Sequence, residues 1–146
     1  EMSAKIVTQE LTNAIARNEF GFIVVNYANP DMVGHTGNLK AAIKAVETVD
    51  QCVGKVVESV LDYDGTMLLT ADHGNCEVMF DEKRGIPHTA HTTNVVPTIL
   101  INAPSNVTHL KPGKLADVAP TILDLMSIPK PKIMTGSSLL SLNEVV

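Results

Sequence analysis

Three stretches hold residues whose types and spacing could do chemistry: NPDMVGHTGN at 29–38, TADHGN at 70–75 and PHTAHTTN at 87–94. Together they carry Asp31, His35, Asp72, His73, His88 and His91. Two carboxylates with up to four imidazoles form a donor set for divalent metal ions. Mixed oxygen and nitrogen donors suit Mn, Zn or Fe(II), whereas all-oxygen sets suit Mg and Ca. Cys76 is a minor candidate beside them. Each piece alone has a plainer reading. Asp31 and His35 could be a turn-capping carboxylate and a surface imidazole, Asp72-His73 a solvated loop, and His91 a loop histidine bonded to backbone. Their joint occurrence is far more specific than any member.

Such side chains need a frame that gathers them. Residues 3–17 carry apolar positions at helical spacing, with Ser3 placed as an N-cap. FGFIVVNY, 20–27, is a continuous β-branched run of the kind found in a parallel strand covered on both faces. A longer helix is expected over 38–61, its buried stripe running through Leu39, Ile43, Val46, Val49, Val53, Val56, Val57 and Val60. Asp64-Gly65 turns the chain into a second strand, 66–71, and 72–94 read as a long polar loop with Gly74 giving room at the strand end. A third strand lies within 95–102, starting after Pro97, and a loop rich in Pro, Ser, Asn and Gly follows it. A last helix spans 115–126, where Pro120 is tolerable only in the first turn. The tail is loop-like apart from an apolar patch at 138–142.

This order predicts an α/β fold with a mostly parallel sheet and helices on both faces. In such sheets ligands bind beyond the carboxyl ends of strands, which is where all three polar stretches fall.

The whole chain sets bounds on function. Apolar residues are 45 % and charged residues 18 % of 146, enough for a core, and aromatics at 3 % make that core aliphatic. A net charge of −5 without a basic cluster argues against nucleic acid or an anionic membrane as partner. No apolar run is long enough to cross a bilayer. Cys52 and Cys76 make no CxxC pair, which fits a reduced, cytoplasmic protein, with Cys52 a small core residue in the long helix. The chain opens on Glu1 in a helix-like stretch, so it is expected to be part of a longer polypeptide.

NPDMVGHTGN, TADHGN and PHTAHTTN, in this order and spacing, resemble the C-terminal segment of cofactor-independent phosphoglycerate mutases, within the alkaline-phosphatase-like superfamily of metalloenzymes. LADVAPTIL and the opening EMSA are similar to that family too, and the likeness runs from Glu1 to about Leu140. It implies an incomplete alkaline-phosphatase-like domain over 1–146 and two Mn²⁺ ions, or other divalent metals, in the full-length enzyme. Asp31, His35 and His91 match the ligands of one ion; Asp72 and His73 match ligands of the other. His88 matches no ligand and is expected nearby, in the pocket or behind the ligands. The implied reaction interconverts 3-phosphoglycerate and 2-phosphoglycerate through a phosphoserine intermediate, in a full-length protein expected to be monomeric. The family's nucleophilic serine, a further Asp ligand and the substrate-holding residues lie in segments this chain does not match, so no catalytic nucleophile is assigned. Two protein ligands are too few for a tight second site, so about one ion per isolated chain is expected. The chain alone is expected to be inactive and poorly soluble, with strand edges exposed. Another phosphohydrolase or phosphomutase of the superfamily, or a non-catalytic metal-binding module, are the alternatives.

Overall fold

The structure, a computed structural model, describes residues 3–143. Glu1 and Met2, the first half of the EMSA stretch, lie outside the described residues. Packing divides the chain into two compact units, residues up to 65 together with 73–96, and 66–72 together with the part from 97 onward.

The first unit is built on three helices. α1, Ala4–Arg17, starts after Ser3, whose side chain makes no capping bond, and ends where Asn18 turns left-handed at φ 50°. α2 is a single short helix, Asn29–Gly34, opened by Pro30 near its first position, where a missing N–H costs nothing. α3, Leu39–Asp62, is capped by the Asn38 side chain, which accepts from the Ala41 N–H at 3.1 Å. Both α1 and α2 pack on α3. The buried face of α3 is Ala42, Ala45, Cys52, Val56 and Val60, while Leu39, Ile43 and Val46 are exposed. The expected stripe is therefore rotated in the first half of the helix. Small side chains face α1 and α2 there because they let helices approach closely. A two-residue hairpin, β2 (Phe80–Asp81) with β3 (Ile86–Pro87), interrupts the polar loop.

The second unit pairs β1 (Met67–Thr70) with β4 (Thr98–Ile101), Met67 opposite Ile101 and Thr70 opposite Thr98. It also pairs β5 (Val107–Leu110) with β6 (Leu140–Leu142). A 3₁₀ turn, Leu115–Asp117, runs into α4, Val118–Leu125, so Pro120 does sit in the first turn. Among the described residues no helix is long and apolar enough to cross a membrane.

Two expectations need correction. The strand pairs of the described residues are all antiparallel, rather than mostly parallel. The connection from β1 to β4 carries no helix, and a parallel return needs a crossover of that kind. Residues 20–27 form no strand, and Phe22, Ile23, Val24 and Val25 are exposed. A strand exists only as half of a hydrogen-bonded ladder, and no described segment pairs with this one. The α/β class itself stands.

Thr121 is the most enclosed side chain, at 0 % exposure. Its hydroxyl donates to the Asp117 carbonyl at 2.7 Å and accepts from the Leu139 N–H at 2.9 Å. Asp117 in turn accepts from the Ser137 and Lys114 N–H groups at 2.8 and 2.9 Å, which hold its carboxyl below the ordinary value against the opposing effect of burial. Thr121→Val keeps the shape but orphans the Leu139 N–H and removes one of the donors to the Asp117 carbonyl. It is expected to cost about 1–3 kcal/mol, read as a lowered urea midpoint.

Candidate metal centre

The spacing of Asp31 and His35 is helical. Asp31 lies in the first turn of α2 and His35 caps its end, with the His35 N–H donating to the Asp31 carbonyl at 3.2 Å. Side chains four apart on a helix share a face. His35 Nε2 accordingly stands 3.2 Å from Asp31 Oδ1.

His91 arrives from a distant stretch. Its Nε2 lies 2.9 Å from Asp31 Oδ1 and 3.1 Å from His35 Nε2. Among the described residues Asp31, His35 and His91 are the group whose donor atoms all fall within 4.8 Å of one another. His73 is close by. Its Nε2 is 3.9 Å from the same Asp31 oxygen, and its ring stacks on that of His91 with centroids 3.7 Å apart.

The loop 73–77 docks against α2 through two bonds. The Asn75 side-chain amide donates to Asp31 Oδ1 at 3.0 Å, and the Cys76 thiol donates to the Pro30 carbonyl at 2.9 Å. Gly34 makes this approach possible, since a Cβ there would collide with the buried Asn75 amide. Partial desolvation raises the Asp31 pKa, but the bonds from Asn75 and His91 and the neighbouring His35 outweigh it and hold the carboxyl below its ordinary value. Desolvation, with the charges of Glu77 and Asp31 added, pushes the Cys76 thiol up. The thiol is engaged with the Pro30 carbonyl, and Cys76 is not in the group formed by Asp31, His35 and His91.

The donor set fits a divalent cation. His35 Nδ1 is 2.7 Å from the Thr89 carbonyl, which can only accept, so Nδ1 carries the proton and Nε2 offers its lone pair inward. Three imidazole nitrogens and an amide then crowd one carboxylate oxygen, which has about two lone pairs to share. A cation among Asp31, His35 and His91 satisfies their lone pairs together, as protons on separate rings cannot.

Four of the five ligand residues expected from the sequence are thus in one place. Asp72 is exposed and belongs to the second unit. His88 is not in the cluster; its backbone N–H donates to the Met79 carbonyl at 3.0 Å, and its buried Nε2 makes no hydrogen bond to a described residue. Asn75 was not legible as a site residue, because an amide matches no ligand pattern. Its position directly after Asp72-His73-Gly74 was the one available signal.

Residues 1–130 match the profile of the metalloenzyme superfamily, and the chain belongs to that family. Its curated relatives include the 2,3-bisphosphoglycerate-independent phosphoglycerate mutases of Cereibacter sphaeroides, 58 % identical over 96 % of this chain, and of Gloeobacter violaceus, 52 % identical over 99 %. A crystal structure of Leishmania mexicana phosphoglycerate mutase at low cobalt concentration superposes with a TM-score of 0.87 at 30 % identity, covering 97 % of this chain and 29 % of that one. The incomplete, alkaline-phosphatase-like α/β fold is therefore that of the matching part of a phosphoglycerate mutase. The chain spans 27 % and 28 % of the length of the two curated relatives.

Proposed function

We propose that the chain is the metal-binding, C-terminal part of a phosphoglycerate mutase that interconverts 3-phosphoglycerate and 2-phosphoglycerate through a phosphoserine intermediate. The observation that carries this reading is the meeting of Asp31, His35 and His91, three residues from two distant stretches, around one point. The names of the relatives supply the substrate.

In this reading Asp31, His35 and His91 hold one divalent ion, manganese by preference. Asp72 and His73 contribute to a second ion, completed by residues elsewhere in the longer protein, which also supplies the serine nucleophile and the substrate-holding groups. Bound divalent ions would supply charge neutralisation for a transferring phosphoryl group and a lowered pKa for a serine hydroxyl. The chain's own residues do the positioning. Thr89 fixes the His35 tautomer through its carbonyl, and Asn75 holds the Asp31 carboxylate in the orientation that faces both imidazoles. The protein would be cytoplasmic, monomeric and glycolytic, acting on a small phosphorylated acid without nucleic acid or membrane.

The test is a coupled assay of phosphoglycerate interconversion on the complete protein. Turnover is expected to vanish on chelation and to return with Mn²⁺ or Co²⁺. The 146-residue chain alone is expected to show none. Hydrolysis of phosphate esters without interconversion would instead favour a phosphohydrolase of the same superfamily.

A further inference from the structure

We infer that Glu77 is a positioning residue for this metal centre: one carboxylate ties the segment carrying His73 and Asn75 to the segment carrying His91. The inference rests on the metal-binding reading above and extends it to a side chain that is not itself a ligand.

Glu77 Oε2 accepts from the Asn75 N–H at 2.6 Å. Its Oε1 accepts from the Thr92 hydroxyl and from the Asn94 side-chain amide, the latter at 3.0 Å. The two segments also meet through backbone, where the Thr92 N–H donates to the Gly74 carbonyl at 2.9 Å. Two of the three partners of Glu77 are next to, or act directly on, a donor. Asn75 is the residue whose amide holds Asp31, and Thr92 follows His91 in the chain. Moving Glu77 therefore moves Asn75, and through it Asp31, relative to His91.

A point charge with three convergent donors does this better than any neutral group. Charge-assisted hydrogen bonds are shorter and roughly twice as strong as neutral ones. Glu77→Gln keeps the size but removes the charge and leaves one acceptor oxygen where there were two, so the tie is weakened. Thr92→Val removes the tie from the opposite side and leaves Glu77 in place.

The experiment is a Co²⁺ titration of the complete protein, followed by the visible d–d absorption of bound cobalt, with circular dichroism as the check on folding. Glu77→Gln and Thr92→Val are each expected to weaken cobalt binding about 10- to 100-fold and to change the shape of the band, as loss of a ligand's supporting partner does. The double variant is expected to be little worse than Glu77→Gln alone, because both substitutions cut the same tie. Asp81→Asn is the control. That carboxylate accepts from the Lys83 and Arg84 N–H groups in the hairpin turn, so its loss leaves the cobalt band unchanged. If the parent protein shows the band and both variants keep its shape and affinity, the positioning role is overturned while the metal reading stands. If the parent protein itself shows no cobalt band, both fall.

Discussion

Replacing His91 by Ala is expected to weaken the affinity of the complete protein for Mn²⁺ or Co²⁺ at this site by about a hundredfold or more. Structural zinc sites draw about 10–16 kcal/mol from some four ligands, so one ligand is worth roughly 3 kcal/mol, or about two decades of affinity. His91 supplies one of the three donors that meet here among the described residues, and it also contacts the Asp31 carboxylate at 2.9 Å. Its loss removes a donor and loosens another. His109→Ala is the matching control, because His109 lies on β5 in the second unit and contacts the Thr108 hydroxyl. Isothermal titration with either metal reads the difference. Equal affinities for the parent protein and His91→Ala would remove His91 from the site.

The second large effect is on stability and comes from Gly136. A Cβ at this position would overlap the Ala116 carbonyl and crowd the Asp117 carboxylate. The carbonyl belongs to the Leu115–Asp117 turn, which is fixed from both sides by the bonds Asp117 accepts from Lys114 and Ser137. Backbone held in this way cannot retreat as a flexible side chain could. Gly136→Ala is therefore expected to cost about 3 kcal/mol, the upper end of the usual overpacking range. Gly54→Ala, by contrast, adds a methyl where nothing lies within 4 Å, on an exposed face of α3, and should be neutral or slightly stabilising. Urea unfolding of the two variants side by side checks both signs, and an unperturbed Gly136→Ala would contradict the close approach.

Much of the frame was legible because it rests on local patterns. The long apolar periodicity placed α3 within a residue of its ends, Leu39 and Asp62. The third strand begins after Pro97, as the missing N–H requires. What the sequence hid was set by contacts between distant residues. The strand expected at 20–27 has the right composition, but composition cannot supply the partner that makes a ladder. The α3 stripe shifted onto Ala42 and Ala45 because closeness to α1 and α2, rather than hydrophobicity, decided which face was buried. α2 escaped because six residues are too few to show a period and Pro30 reads as a turn. Yet Pro near the helix start with Asp31 and His35 four apart is what a one-turn helix presenting two donors looks like.

The candidate site divides in the same way. The three motifs singled out Asp31, His35, Asp72, His73 and His91, and the structure brings all of these but Asp72 close to one another, since ligand types in characteristic runs are a local signal. Asn75 and Glu77 were passed over because their importance lies in bonds to Asp31 and Thr92, which are 44 and 15 residues away along the chain. No run of residues around either one encodes such a bond.

The central claim is that Asp31, His35 and His91 share a single cation, and anomalous diffraction from crystals of the complete protein grown with Co²⁺ tests it most directly. The expected result is a cobalt peak about 2.0–2.2 Å from His35 Nε2, from His91 Nε2 and from an Asp31 carboxylate oxygen. A peak bound elsewhere, with these three side chains still bonded only to one another, would contradict it.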